Sequence, residues 1–143
     1  MYAWLARMLV RRSLRSHQSR DVEGLMKMYA KDVHFAFPGN NSWAIDTRDR
    51  GEIERWLRRF HAVGLNLVVH DILVGGPPWN TRVCLQFTDN ALDDDGRVVY
   101  ENTGVIYAKG RWGKIAEYTV FEDTEKVAAF DKYLQAHETA GHR

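Results

Sequence analysis

Residues 65–122 read LNLVVHDILVGGPPWNTRVCLQFTDNALDDDGRVVYENTGVIYAKGRWGKIAEYTVFE. Runs of β-branched and aromatic residues alternate here with clusters of Gly, Pro and Asp, which is the pattern of strands joined by turns. The turn clusters predict four strands, at 65–74, 81–88, 97–109 and 114–121. Because the turns are short, successive strands should pair with each other as an antiparallel meander.

The residues before and after this stretch are mostly helical. Apolar side chains recur at three- and four-residue steps near 4–9, 22–29 and 53–60, which predicts three helices. Between the second and third lie a short strand at 33–37 and a loop at 39–50, and Asp123 caps a short C-terminal helix. This order indicates an α+β fold, with a curved antiparallel sheet wrapped around three N-terminal helices and a hollow between the two layers.

Length and charge narrow the choice of function. The chain has 143 residues, 45% of them hydrophobic and 27% charged, with a formal net charge of +1. We assign residues 1–143 to a single domain, since a chain of this length can bury a substantial core. We expect no nucleic-acid partner, because the chain has no overall basic excess.

The location of the protein is predicted from two further features. Cys84 is the only cysteine, so no disulfide can form within the chain, and a reducing cytoplasm fits best. No apolar run approaches the roughly 20 residues of a membrane-spanning helix, and we expect no membrane partner. The arginines of the first 20 residues leave open a weaker alternative, contact of the first helix with nucleic acid or a membrane surface.

Several motifs occur in a characteristic order. They are the 21–29 helix followed by AKDVHF (30–35), FPG (37–39), RGEI (50–53), YEN (100–102), WGKIAEY (112–118) and EDT (122–124). Together they span a core of about 20–125 and resemble the nuclear transport factor 2-like superfamily, specifically its SnoaL-like proteins. The resemblance implies a cone-shaped barrel with an apolar cavity, often in a homodimer packed through the sheet.

The same resemblance allows the known catalytic positions to be checked. The three catalytic positions of ketosteroid isomerases fall near Ser13, Phe37 and Ile106, none of which can take its role. The carboxylate of limonene epoxide hydrolases and polyketide cyclases falls on Val120, and a shift of one pleat would substitute Glu122. The inherited chemistry is therefore not carried over, and any catalysis needs an arrangement of its own.

Strand alternation shows which side chains share a face of the sheet, and the resemblance implies which face lines the cavity. Tyr100, Asn102, Tyr118 and Glu122 should face the cavity, with Glu122 as the catalytic acid or base because an apolar hollow raises a carboxyl pKa. The alternative is a solvated Glu122 at the cavity mouth. The predicted ligand-binding set is completed by Phe35, Phe37, Ile106, Val120 and Trp43. Trp43 should lie on the loop at the mouth, where it either closes over a flat ligand or packs on the third helix.

These observations favour a protein that binds a small apolar or aromatic molecule. No cofactor is expected, and no metal, because the histidines lack metal-ligand spacing. Whether the protein also transforms its ligand, by isomerase, cyclase, dehydratase or hydrolase chemistry, stays open. The alternative is a non-catalytic dimerisation or protein-interaction module, in which the cavity would be filled by Phe35, Phe37, Phe87 and Tyr118.

Overall fold

The computed structural model describes residues 2–141, which form four helices and six strands. The helices are α1 (Tyr2–Gln18), α2 (Val22–Met28), α3 (Arg50–Ala62) and α4 (Thr124–Gly141). The strands are β1 (Tyr29–Phe37), β2 (Ile45–Thr47), β3 (Asn66–Gly75), β4 (Thr81–Leu92), β5 (Val98–Arg111) and β6 (Lys114–Glu122). The predicted α+β class and the order of helices and strands are confirmed.

One sheet contains all six strands, in the order β2-β1-β6-β5-β4-β3. The meander β3–β6 is antiparallel as predicted, but β1 pairs with β6 in parallel. The sheet is therefore mixed, which corrects the expectation of a purely antiparallel one. The parallel pair is possible because α3 and four strands separate β1 from β6 along the chain, ample for the long crossover that parallel neighbours need.

Aspartates fix the starts of three helices. Asp21 accepts a hydrogen bond from the Gly24 amide, and Asp49 accepts from the Gly51 and Glu52 amides. Asp123 accepts in the same way from the amides of Glu125 and Lys126, at 3.0 and 3.3 Å between nitrogen and Oδ1. Each carboxylate satisfies amides that the first turn leaves without a helical partner.

Three segments differ from the sequence pattern. The first strand is longer than 33–37, since it begins at Tyr29, and the predicted loop at 39–50 contains β2. Strand β2 is three residues long and lies at the edge of the sheet beside β1, so it has too little periodicity to be recognised. The final helix runs for 18 residues rather than being short.

The core lies between the concave face of the sheet and the helices. Alternate residues of β4 and β5 are buried, so each of these strands presents one face to the interior. A smaller cluster joins β1 to α2 and α3 through Leu25, Val33, Phe35, Ile53 and Leu57. Within the described residues, no helix is long and apolar enough to span a membrane.

Candidate functional site

A cavity opens between the concave face of the sheet and helices α1 and α3. Phe37, Trp56 and Phe60 form its aromatic wall, and Asp89, Ile106, Val120 and Glu122 are among the sheet residues opposite. Its empty volume is about 330 Å³, counting the space at its mouth. We call this space the carboxyl cavity, because two acidic side chains project into an otherwise mainly apolar lining.

Asp89 and Glu122 are hydrogen-bonded to each other in the carboxyl cavity. Burial and the neighbouring Glu122 raise the pKa of Asp89 to about 8, and burial also raises the pKa of Glu122. The hydrogen bond raises the pKa of Asp89 and lowers that of Glu122, so Asp89 donates the shared proton. Asp89 Oδ1 is buried without a partner, which leaves the other oxygen to carry the proton. At neutral pH the pair thus consists of an acid and a carboxylate.

Tyr100 and Asn102 hold the Glu122 side chain in place. The Tyr100 hydroxyl donates to Glu122 Oε2 at 2.8 Å, and Asn102 Nδ2 donates to the Tyr100 hydroxyl at 2.9 Å. The same Asn102 nitrogen donates to the Asp123 carbonyl at 3.0 Å. Burial, together with the charges of Asp89 and Glu122, raises the pKa of Tyr100, so its hydroxyl keeps its proton and remains a donor. Glu122 therefore has a fixed orientation.

Because Gly104 has no side chain, the Glu122 side chain can extend over β5 towards Asp89. Gly104 lies opposite both Phe87 and Glu122 in the strand register. A Cβ placed on Gly104 would come within 2.5 Å of the Phe121 carbonyl oxygen, 2.8 Å of Phe87 Cζ and 2.9 Å of Glu122 Cγ. A side chain at this position would force the Phe121 backbone, Phe87 or Glu122 to shift. Glycine is therefore required for the position of the carboxyl pair.

His17, near the end of α1, lines the carboxyl cavity. His17 Nδ1 lies 3.3 Å from His61 Nε2. His61 Nδ1 is buried without a partner, and a buried lone pair costs less than a buried N–H, so we place the His61 proton on Nε2. This assignment leaves the His17 proton on Nε2. Burial, and to a smaller extent His61, lower the pKa of His17 to about 4, so the ring is neutral at neutral pH.

Trp43 is nearly fully buried and packs against α3. Its carbonyl accepts from Trp56 Nε1 at 2.9 Å, and the Arg59 guanidinium lies 3.8 Å from its ring centroid. The ring also borders a smaller hollow, which lies next to the carboxyl cavity and is lined by Tyr100 and Phe130. Packing on the third helix is thus the interpretation that the structure supports for this residue, and Trp43 contributes one edge of the lining.

The structure separates the predicted site residues into two groups. Phe37, Ile106, Tyr118, Val120 and Glu122 line the carboxyl cavity, and Tyr100 lines the adjoining hollow. Phe35 and Asn102 are not among the residues that line either space.

Packing explains these two exceptions. Phe35 is fully buried and stacks on Tyr118 with 5.0 Å between ring centroids, because α2 and α3 cover this part of β1. Asn102 is likewise buried and supports Tyr100 from behind.

Sequence reasoning did not identify Asp89 and His17. One signal for Asp89 was present: the alternation of Val83, Leu85 and Phe87 continues through Asp89 to Ala91, and all five are buried. An aspartate on the apolar face of a strand is unusual, because a buried charge is costly. His17 had no comparable signal, since its partner His61 lies 44 residues away.

The residues described by the structure contain no group of three or more His, Cys, Asp or Glu side chains placed to hold a metal ion. The acidic pair instead has the composition of an acid–base site, with one protonated and one ionised carboxyl in an apolar space.

Comparison with solved structures identifies several proteins of the same fold. Bal32a, from a soil-derived mobile gene cassette, aligns with a TM-score of 0.77 at 18% identity, covering 92% of this chain and 99% of its own. An NTF2-like protein of unknown function from Burkholderia pseudomallei K96243 aligns with a TM-score of 0.72 at 17% identity, covering 85% and 92%. TerC, co-crystallised with polyporic acid, aligns with a TM-score of 0.69 at 20% identity, covering 82% and 91%.

A search of curated proteins finds no match to the sequence. The sequence profile of the SnoaL-like domain matches residues 10–118, from the middle of α1 to Tyr118 of β6. This match covers well over half of the chain, and the solved structures above share its NTF2-like fold. The chain is therefore a member of the SnoaL-like domain family.

Proposed function

We propose that this protein binds a small apolar or aromatic metabolite in the carboxyl cavity and transfers a proton on it through Asp89 and Glu122. The observation that carries this proposal is the hydrogen-bonded carboxyl pair in an apolar cavity. Such a pair offers both halves of acid–base catalysis at neutral pH, because Glu122 can accept a proton and Asp89 can donate one. The chemistry requires no cofactor.

The walls of the cavity favour a flat, uncharged ligand. Phe37 and Trp56 lie with ring centroids 5.4 Å apart, and Trp56 stacks on Phe60 at 5.5 Å. Together these rings give the cavity an aromatic wall, which suits contact with an aromatic or planar ligand. The reaction classes that match one acid and one base are isomerisation, cyclisation, dehydration and hydrolysis. That TerC was co-crystallised with polyporic acid supports the choice of a small organic molecule as ligand.

The experiment is an NMR screen of a panel of aromatic ketones, cyclic diones and epoxides for binding and for product formation. We expect at least one compound to be bound and converted by the wild type but not converted by Glu122→Gln or Asp89→Asn. Asp94→Asn, in the exposed β4–β5 turn, is the matched control and should leave conversion unchanged. Binding with equal conversion by all variants would refute the role of the carboxyl pair.

A second candidate function is supported by the outer face of the sheet. Leu73 is 60% exposed and Phe121 is 54% exposed, and both lie on the face opposite the carboxyl cavity. Exposed apolar side chains on a sheet favour association with another protein surface. We propose a homodimer through this face. The alternative of a purely interacting module would be favoured if no compound of the panel binds while the dimer forms.

We further propose the cytoplasm as the location of the protein. The support is the single cysteine, Cys84, which is half-buried and unpaired in the structure. Cell fractionation followed by immunodetection should find the protein in the cytoplasmic fraction, and its recovery in another fraction would refute this location.

A further inference from the structure

An open groove lies between the C-terminal half of α1, the end of α3 and the edge strand β3. Its empty volume is about 1460 Å³, counting the open space at its mouth. Leu14, Phe60 and Val69 are among its apolar residues, and no acidic side chain lines it. We call it the basic groove, because Arg11 and Arg20 provide its charge.

The positive charge of the basic groove is not neutralised by a neighbouring carboxylate. Arg11 and Arg20 are both exposed, and neither forms an ion pair with another residue that the structure describes. Asp21 follows Arg20 in the chain, but its carboxylate accepts from the Gly24 amide at the start of α2. Burial and, after it, the charge of Arg20 lower the pKa of His61 in the wall of the groove. A positive potential of this kind favours an anion as the ligand.

Arg20 has a backbone conformation that glycine usually adopts. Its φ is 59°, in the left-handed region. The Arg20 amide donates to the His17 carbonyl at 3.1 Å, and the Asp21 amide donates to the Ser16 carbonyl at 2.8 Å. Many helices end with this hydrogen-bond pattern at a glycine, so an arginine here is strained. Strain at a residue whose side chain lines a groove supports a binding role for that side chain.

Apolar surface lies beside the charge of the basic groove. A guanidinium can donate two parallel hydrogen bonds to one carboxylate, which makes arginine well suited to bind that group. Leu14, Phe60 and Val69 offer contact to an apolar body attached to the carboxylate. An inorganic anion would use the charge but leave this apolar surface exposed to water.

We propose that the basic groove binds a small organic anion, with its carboxylate paired to Arg11 and Arg20 and an aromatic body against Phe60. This site goes beyond the proposed function and does not depend on it, because no passage to the carboxyl cavity is needed. The two sites select different ligands. The negative charge of the carboxyl pair repels an anion, whereas the basic groove attracts one.

The test is a titration of the wild-type protein, followed by protein NMR, with 2-naphthoate, its neutral counterpart 2-naphthamide and inorganic phosphate. We expect one 2-naphthoate per chain, with an affinity that falls as the salt concentration rises. The side-chain amide signals of Gln18 and Asn66, which line the basic groove, should shift on binding. Phosphate should bind more weakly than 2-naphthoate. Equal affinities for these two anions, or no binding of 2-naphthoate, would overturn the proposal.

Three arginine variants locate the anion. Arg20→Gly should fold, because glycine is favoured at this helix end, and should weaken 2-naphthoate binding about tenfold. Arg11→Gln should also weaken it, by about fivefold. Arg12→Gln makes the same change of charge one position further along α1, but Arg12 does not line the basic groove. This control should leave the affinity for 2-naphthoate unchanged.

The neutral 2-naphthamide checks that charge is responsible. Its affinity should be the same in the wild type and in all three arginine variants. An affinity for 2-naphthoate that is unchanged in both Arg20→Gly and Arg11→Gln would overturn the proposal. So would an equal loss of affinity in Arg12→Gln, because the anion would then respond to the overall charge of α1.

The outcomes also separate this site from the proposed function. If 2-naphthoate binds as expected and no compound is converted, the anion site stands and the proposed catalysis fails. If neutral compounds are converted and 2-naphthoate does not bind, the catalysis stands and the anion site fails.

Discussion

Asp89 and Glu122 face each other from strands that are not neighbours, with β5 between them. Two carboxyl groups in an apolar space cannot both ionise cheaply, so they keep one proton between them. The fixed hydroxyl of Tyr100 stabilises Glu122 as the ionised member. At the residue scale, the site therefore has a defined acid, a defined base and a support for the base.

The role of Glu122 as the base predicts that its replacement by Gln strongly lowers the turnover rate. Glu122→Gln keeps an oxygen that accepts from Tyr100 but removes the base. We expect turnover of any converted compound to fall by about 10² to 10⁴-fold, the range typical of general acid–base catalysis. The dissociation constant of that compound should change little. The turnover rate is measured by NMR and the dissociation constant by titration. An unchanged turnover rate would exclude Glu122 as the base.

The raised pKa of Asp89 predicts how stability depends on pH. The folded protein holds this proton to about pH 8, whereas the unfolded chain releases it near 3.8. Stability should therefore fall as pH rises from about 4 to about 8. His17 has a folded pKa of about 4 against an ordinary value of 6.5, so its effect has the opposite sign below pH 6.5. The effect of Asp89 on stability is therefore best measured between pH 6.5 and 8, where His17 makes no opposing contribution.

The measurement is the melting temperature of wild type and Asp89→Asn across that interval. Asp89→Asn keeps a donor to Glu122 and removes the titrating group, so its melting temperature should decline less between pH 6.5 and 8. Asp94→Asn should follow the wild-type curve, because this side chain is exposed in a turn. Parallel curves for wild type and Asp89→Asn would contradict the raised pKa.

At the scale of elements, the site depends on close packing of β4, β5 and β6. Gly104 in the middle strand allows Phe87 and Glu122 to meet across it. We predict that Gly104→Ala costs about 1–3 kcal/mol in the free energy of unfolding, because the Phe121 backbone must shift. Gly75→Ala on β3 is the matched control, since nothing lies within 4 Å of its added Cβ. Urea unfolding of both variants checks the difference, and equal costs would argue against the close approach.

Alternation along the strands predicted much of the site. Because successive side chains point to opposite faces, and the family resemblance implied which face lines the cavity, Tyr100, Ile106 and Glu122 could be placed inside from the sequence. Asp89 was missed because Asp and Asn favour turns, so the predicted strand ended at Thr88. In the structure, β4 continues to Leu92 and Asp89 pairs with Asn102.

A bulge also changed one face of β6. Lys109 pairs with Glu117 and Gly110 pairs with Ile115, so Ala116 is an extra residue between them. Ile115 therefore faces the interior, where it packs against the cluster formed by β1, α2 and α3. Such a bulge depends on the partner strand, and the alternation of one strand cannot reveal it.

At the scale of the whole molecule, the order of helices and strands indicated the fold, whereas contacts between distant segments had to be observed. The crossover that brings β1 beside β6 in parallel joins residues about 80 positions apart, as in the pair Phe35–Tyr118. The pairing of His17 with His61 and the space beneath α1 likewise depend on how α1 lies on the sheet. Short-range periodicity carries no information about such contacts.

The outer face of the sheet gives a prediction for assembly. Phe121→Lys places a charge on this exposed face and should convert the proposed homodimer to a monomer in sedimentation equilibrium. The same substitution in the exposed turn, Trp112→Lys, should leave the assembly unchanged. A wild-type protein that is monomeric at all concentrations would exclude the dimer.

The central claim is that Asp89 and Glu122 share one proton in the carboxyl cavity at neutral pH. Infrared difference spectroscopy across a pH titration tests it most directly, because a protonated carboxyl has its own C=O band. We predict a carboxyl band in the wild type that persists at pH 7 and disappears with a midpoint near 8. The band should be absent in Asp89→Asn and retained in Asp94→Asn. If all carboxyl bands of the wild type had already disappeared when the pH is raised to about 5, the claim would be contradicted.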